Sequence, residues 1–210
     1  MKKLFFSLLI FAVACKGKTG SPSDTADKSM EQQQLDKINQ YPDSVLLKEN
    51  LLQYYREQNQ YTKAIDYINV QIAKDTANAH YYDIKGILLL EKGDSTGAIN
   101  AYEKAVDIYP DPIYIIALAT LYAQTHNPLA LEMADALLYA DKANADRHAF
   151  FIKGLYYSYN KQPAKAIPFF DKCLEISYTD MDAYLEKSIA LYDLEKYTAS
   201  VDVLNKAIAL

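Results

Sequence analysis

Apolar side chains recur along most of this chain at helical spacings, and the helical stretches themselves repeat. The repeat step is thirty-four residues: Ala64 is followed by Ala98 one step on, and Ile84–Gly86 returns as Ile152–Gly154 after two steps. A fixed period of this size predicts an all-α solenoid. In such a fold each helix pair can bury its apolar face only against its neighbours.

The recurring residues have a fixed order of sizes within each unit. The unit that begins at Ala79 carries, in order, Tyr82, Gly86, Leu89, Ala98 and Tyr102. The unit that begins at Arg147 carries, in the same places, Phe150, Gly154, Tyr157, Ala166 and Phe170. This order resembles the tetratricopeptide repeat, a family whose units are pairs of antiparallel helices. Its small residues let paired helices approach closely, and its aromatic residues fill the gaps between successive pairs.

The resemblance implies a right-handed α-solenoid of helix–turn–helix units. We predict about five units, at 45–78, 79–111, 112–146, 147–180 and 181–210, preceded by an N-terminal capping helix within 30–44. The third unit is irregular in its spacing. There Asn127 and Pro128 are expected to open the second helix, because asparagine caps helices and proline suits a first turn.

The first residues have the order of a signal peptide, with Lys2 and Lys3 before an apolar run from Leu4 to Ala14. This run is too short to cross a bilayer as a helix. Cys15 follows directly after small residues, which resembles the signal of bacterial lipoproteins. We therefore predict a signal peptide at 1–14 and acylation of Cys15. The alternative is an ordinary cleavage site that happens to precede a cysteine.

Residues 15–29 are predicted to form a flexible tether between this lipid anchor and the repeats. After Cys15 the segment has no large apolar residue, so it cannot bury a core. Lys16 stands where some bacteria place an acidic residue that retains lipoproteins at the inner membrane. We therefore expect an exported, membrane-anchored lipoprotein of the outer membrane that faces the periplasm.

Composition and charge argue against several classes of function. The net charge is −5 and the charges are dispersed, which argues against nucleic acid as a partner because phosphate backbones require a clustered basic face. Of the three histidines, His80 and His148 lie two repeats apart, too far to share a metal ion. The chain also lacks the common hydrolase and phosphate-binding motifs. We expect no enzymatic activity, no catalytic residues, no cofactor and no metal.

The resemblance also implies a ligand-binding surface, because the first helix of each unit in this family lines an inner groove. Transferred to this chain, the groove is acidic at its N-terminal end and apolar from the third unit onward. The residues predicted to form it are Glu49, Gln53, Asp83, Ile87, Ile113, Ile116, Phe151, Leu155, Tyr159, Leu185 and Ile189. We expect it to bind an amphipathic helix or an apolar peptide with a basic flank. The alternative is that these side chains pack on one another or are covered by the tether.

These observations favour a membrane-tethered scaffold that binds a protein or peptide partner in the bacterial cell envelope. A second hypothesis is a structural component that self-associates end to end as a homo-oligomer. It rests on apolar residues of the last helix that no capping helix covers in the sequence, namely Val201, Leu204, Ile208 and Leu210. A third, weaker hypothesis is an accessory subunit of an envelope enzyme complex.

Overall fold

The computed structural model describes residues 29–139 and 145–210, and α-helices are the only regular elements in these two stretches. Eleven helices follow one another there: α1 Met30–Gln40, α2 Val45–Glu57, α3 Tyr61–Lys74, α4 Ala79–Lys92, α5 Ser95–Ile108, α6 Pro112–Gln124, α7 Leu129–Tyr139, α8 Ala145–Tyr159, α9 Pro163–Ile176, α10 Met181–Asp193 and α11 Tyr197–Ile208. The predicted signal peptide at 1–14, Cys15 and nearly all of the tether lie outside the described residues.

Each helix packs against the next one along the chain, so the helices form one continuous array. This arrangement confirms the prediction of an all-α helical repeat fold. From α2 onward the helices fall into five pairs. We call the first helix of each pair an A helix (α2, α4, α6, α8, α10) and the second a B helix (α3, α5, α7, α9, α11). One apolar core runs without interruption from Leu51 in α2 to Leu155 in α8.

Helix α1 lies within the segment predicted to cap the array and is attached to the first pair by Glu31. The Tyr55 hydroxyl donates a hydrogen bond of 2.9 Å to Glu31 Oε1, and Lys63 Nζ lies 2.7 Å from Oε2. These contacts, with Lys63 the larger cause, lower the pKa of Glu31. Leu35 and Ile38 pack against the core on the same side of the helix. One carboxylate thus connects α1 to both helices of the first pair.

Helices within a pair approach closely where a glycine of the A helix faces an aromatic ring of the B helix. A Cβ atom at Gly86 would lie 2.6 Å from Tyr102 Cε2, and one at Gly154 would lie 2.5 Å from Phe170 Cε1. These distances are too short for any side chain, so the rings occupy the space that the glycines leave free. In the last pair Ser188 replaces the glycine, and its hydroxyl lies 2.8 Å from that of Ser200.

The turn between the two helices of each pair contains one residue in the left-handed conformation. These residues have φ between +55° and +87° and are Asn59, Gly93, His126, Lys161 and Glu195. Four of the five are spaced by the repeat step, and His126 is displaced by one residue in the irregular third unit. The next backbone amide then donates back into the helix, as from Gln162 N to Tyr157 O at 2.8 Å.

The fourth and fifth pairs are joined by an ion pair with little solvent contact. Arg147 Nη1 lies 2.6 Å from Asp180 Oδ2, and the Asp180 side chain is only 4% exposed. The other oxygen of Asp180 accepts a hydrogen bond from Ala183 N and so caps α10. Next to this pair, Cys173 is fully buried as a small core residue. Burial raises the pKa of its thiol to about 12.

No helix within residues 29–139 and 145–210 combines the length and the hydropathy that crossing a membrane requires.

The left-handed turn residues generate a stability prediction. Left-handed backbone is costly for residues with a side chain but not for glycine. We expect Glu195→Gly to raise the free energy of unfolding by about 0.5–1 kcal/mol, because it relieves this cost in the last turn. Glu195→Ala removes the same carboxylate but keeps the strain. Urea unfolding should therefore show a gain for glycine alone, and an equal gain for alanine would contradict the explanation.

Candidate peptide-binding groove

The predicted groove begins as an open pocket between the A helices α2 and α4. It has a volume of about 260 Å³. Its floor is apolar, with Leu52 from α2 and with Ile84 and Leu88 from α4. Its rim is polar and includes two of the predicted residues, Glu49 and Gln53, while a third, Ile87, adds an apolar side chain beside the floor. The structure therefore brings these three predicted residues to one site.

One end of this pocket is closed by a network that the sequence did not indicate. Arg56 in α2 forms an ion pair with Glu91 in α4, with Nε of the guanidinium 2.9 Å from Oε2. Arg56 also donates to the side-chain oxygen of Gln53, whose amide nitrogen donates to Glu57. Gln53 was predicted as a ligand contact, but in this conformation its amide is engaged within the protein. It positions Arg56 and leaves Glu49 as the exposed acidic group on that rim, beside the exposed amide of Asn50.

A smaller cavity of about 110 Å³ continues from the pocket toward α3. The two cavities share Glu49, Leu52, His80 and Ile84 on their walls. The Tyr67 side chain lines the inner cavity, and its buried hydroxyl has no hydrogen-bond partner among the described residues. A buried hydroxyl without a partner costs free energy. A ligand group that reached this cavity could supply the missing partner.

Asp83 lies next to this pocket, on α4, and its carboxyl group is largely buried. The side chain is 15% exposed, and its nearest charged partner is His80, with Nδ1 at 3.6 Å. Burial raises the pKa of Asp83, and His80 offsets part of that effect. The charge of Asp83 also contributes to the raised pKa values of Tyr102 and Tyr114, after burial in both cases. Asp83 is thus a desolvated carboxylate among aromatic rings.

In the middle of the array, direct packing of α6 on α8 closes the groove. Helix α6 is apolar almost throughout and packs on α8 as well as on its own partner, α7. Leu155 is only 2% exposed and belongs to the core, so it is not available to a ligand, contrary to the prediction. Ile116 and Phe151 are half-buried and pack against the same core. The packing of these three side chains agrees with the alternative, whereas a binding role for Ile116 and Phe151 stays a prediction.

Beyond this closed part, apolar side chains are again exposed on the A helices. The predicted residues that remain exposed there or at its edges are Ile113, Tyr159, Leu185 and Ile189. Two further side chains, Met181 and Tyr192, continue the exposed stripe along α10. Met181 was not predicted, although its spacing from Leu185 and Ile189 places all three on one face of the helix. The groove therefore consists of two open parts separated by the packed contact of α6 with α8.

The titratable side chains do not form a metal centre in the part of the chain that is described. No cluster of three or more His, Cys, Asp or Glu residues there could hold a metal ion. His80 faces Asp83, whereas His148 lies beside Arg147. Burial, followed by the charge of Arg147, lowers the pKa of His148, which keeps its imidazole neutral near neutral pH.

Comparison with known proteins identifies the repeat. The family model of the tetratricopeptide repeat matches residues 79–112 and 148–180. These segments contain α4 with α5 and α8 with α9, the two pairs in which a glycine faces a ring. These two helix pairs are therefore similar to tetratricopeptide repeats. The other three pairs have the same helix–turn–helix order but lie outside the residues that the family model matches. No significant match was found among the curated proteins.

Several solved structures share this fold over most of the chain. A tetratricopeptide repeat protein from Parabacteroides merdae superimposes with a TM-score of 0.72 at 17% identity, covering 85% of this chain and 71% of that one. MamA from Desulfovibrio magneticus gives 0.62 at 19% identity, covering 80% and 95%. YrrB, described as a tetratricopeptide-repeat protein with an unusual peptide-binding site, gives 0.56 at 20% identity, covering 85% and 92%. Repeats of this kind indicate a protein-interaction scaffold.

Asp83 provides a test of the groove's electrostatics. Its pKa is higher in the folded than in the unfolded protein, so the folded state gives up stability as pH rises through the folded pKa. Asp83→Asn removes this loss. We expect its thermal midpoint to exceed that of the natural protein at neutral pH and the difference to vanish below the ordinary aspartate pKa of 3.8. Glu49→Gln removes an exposed carboxylate from the same rim and is the control. An equal gain in both variants would contradict the role of burial at Asp83.

Proposed function

We propose that this protein is a membrane-tethered scaffold of the bacterial cell envelope that binds an extended peptide segment across α2 and α4. The observation that carries the proposal is the pocket of about 260 Å³ between these helices. It has an apolar floor, a polar rim and an inner cavity that contains an unsatisfied hydroxyl. A concave apolar surface with a few converging polar groups is typical of a binding site.

The chemistry of the pocket suits a peptide with an aliphatic side chain next to a basic one. The aliphatic side chain would fill the space above Leu52 and Leu88. A lysine or arginine beside it would approach Glu49, which has no competing ion pair in the described structure, whereas Glu91 is paired with Arg56. Asp83, buried and weakly compensated, would add to the attraction for a cation. An acidic peptide would be repelled by both carboxylates.

The exposed apolar residues on α8 and α10 extend the proposed contact surface. Tyr159, Leu185 and Ile189 lie beyond the closed middle of the groove, so a segment that crosses α6 would have to pass over Ile113 rather than sink between the helices. We therefore assign the pocket as the specific part of the site. The apolar stripe serves as a second, less selective contact for a longer partner.

Anchoring by acylated Cys15 completes the proposal. The acidic composition gives the folded array no electrostatic attraction to anionic lipid, so the acyl chains would supply the membrane affinity. The polar segment that follows Cys15 would keep the array free to meet its partner near the membrane surface.

Selection from a random peptide library, with the full chain immobilised, tests the pocket. We expect enriched peptides to place an aliphatic residue beside Lys or Arg. Ile87→Asp should weaken their binding by at least about tenfold, because it places a charge beside the apolar floor. Val70→Asp is the matched control, since Val70 is an exposed aliphatic residue on α3 that lines neither cavity. Equal losses in the two variants, or enrichment of acidic peptides, would contradict the assignment.

Metabolic labelling with a palmitate analogue tests the anchor separately. Cys15→Ser should abolish incorporation of the label and release the protein from the membrane fraction. Cys173→Ala removes the only other cysteine, which is fully buried, and should leave labelling intact. Continued labelling of the Cys15→Ser variant would refute acylation at this position without affecting the assignment of the pocket.

A further inference from the structure

Helix α11 carries a second apolar stripe that points away from the array. Its residues are Tyr197, Val201, Leu204 and Ile208, with exposures from 37% to 84%. Their spacings of four, three and four residues place them along one face of the helix. The adjoining flank of α11, with buried Ser200 and Val203, packs on α10. The helix therefore has two apolar faces, and the described part of the chain uses one of them.

The repeat position of Leu204 is buried in the other regular pairs. Leu204 corresponds, in steps of thirty-four residues, to Phe170 in α9, Tyr102 in α5 and Ile68 in α3. These three side chains are at most 3% exposed. Each of those B helices packs on the A helix that follows it, and Phe170 shares a cluster with Ala190 of α10. The stripe on α11 thus has the register and chemistry of a surface that a further helix covers.

Charged groups on α11 are kept away from the stripe. Its charged residues are Asp202 and Lys206, and at 100° per residue both lie more than 120° from the centre of the stripe. The positions that border the stripe on its open side are Thr198 and Asn205, which are uncharged. The opposite end of the array differs, because the exposed residues of α1 are mostly polar: Met30, Gln32, Gln33, Lys37, Asn39 and Gln40. A head-to-tail contact would therefore set an apolar surface against a polar one.

The order of residues in the stripe allows a second copy of the chain to cover it. The spacing of four, three and four reads the same in both directions about a midpoint between Asp202 and Val203. When two such helices lie antiparallel, Tyr197 meets Ile208 of the partner subunit, and Val201 meets Leu204 of the partner subunit. Every apolar residue then faces another, as a two-fold contact requires. We propose that two copies of this chain associate through α11 as an antiparallel, two-fold dimer.

The two-fold geometry determines how many copies associate and how tightly they bind. A two-fold contact uses the same patch on both copies and is closed, so association stops at two and leaves both α1 helices at the outer ends. Tyr192 widens the patch, since its ring lies 5.1 Å from that of Tyr197. A single helix pair is small for a protein interface, so we expect a dissociation constant in the micromolar range.

Sedimentation equilibrium of the full chain between about 1 and 200 µM, with any bound detergent density-matched, tests the dimer. The natural chain should be in concentration-dependent equilibrium between monomer and dimer. Val201→Lys and Leu204→Glu should each raise the dissociation constant at least about tenfold, because each places a charge in the apolar contact. An equimolar mixture of the two variants should recover association, since the new ammonium and carboxylate groups meet across the antiparallel pair.

Val70→Lys is the matched control, because Val70 is 53% exposed and Val201 is 54% exposed. This variant should dimerise as the natural chain does, and circular dichroism should show equal helix content in all variants. A natural chain that is monomeric throughout the range would overturn the proposal. Equal loss in Val70→Lys and Val201→Lys would also overturn it. Failure of the mixture to associate would overturn the antiparallel register.

Discussion

The rest of this fold depends on the close contact of two helices at a position where one of them has no side chain. Gly86 admits the ring of Tyr102, and Gly154 admits that of Phe170. The rings reach past the glycines into the space between successive pairs, and Phe170 extends to Ala190 of α10. The same local contact therefore determines how the two helices of a pair pack and how successive pairs pack on each other. This coupling explains why units of moderate size build a continuous core although none could bury its apolar surface alone.

The composition of α6 determines the shape of the inner surface. An A helix with a polar face leaves a gap to its neighbour, and such a gap is present between α2 and α4, where Glu49, Gln53 and Arg56 line the rim. Helix α6 has almost no polar face, so it packs directly on α8 and removes the gap. The same backbone arrangement thus produces a pocket at one place and a sealed contact at another. The difference lies in a few outward positions that do not affect the repeat itself.

The helical repeat could be predicted from the sequence because the period is a one-dimensional property of the chain. The sequence could not show which of the groove residues would be exposed and which would be buried. Leu155 occupies a groove position by register, but its burial depends on how closely α6 approaches α8, and the spacing within each helix does not specify that distance. The Arg56–Glu91 pair joins two units and leaves no local pattern. Lys161 and Glu195 adopt the left-handed turn without the glycine that usually signals it, and only their alignment with Gly93 could have revealed them.

The pocket between α2 and α4 lies across the boundary of two repeats, and this position has a thermodynamic consequence. Linear arrays tend to lose structure from their ends, because a terminal unit has one neighbour instead of two. A peptide that contacts both α2 and α4 can bind fully only when the first repeat is folded against the second. Its binding free energy would therefore be added to the interface between them and would suppress fraying at that end. The N-terminal repeats would act as a sensor whose own folding is coupled to occupancy.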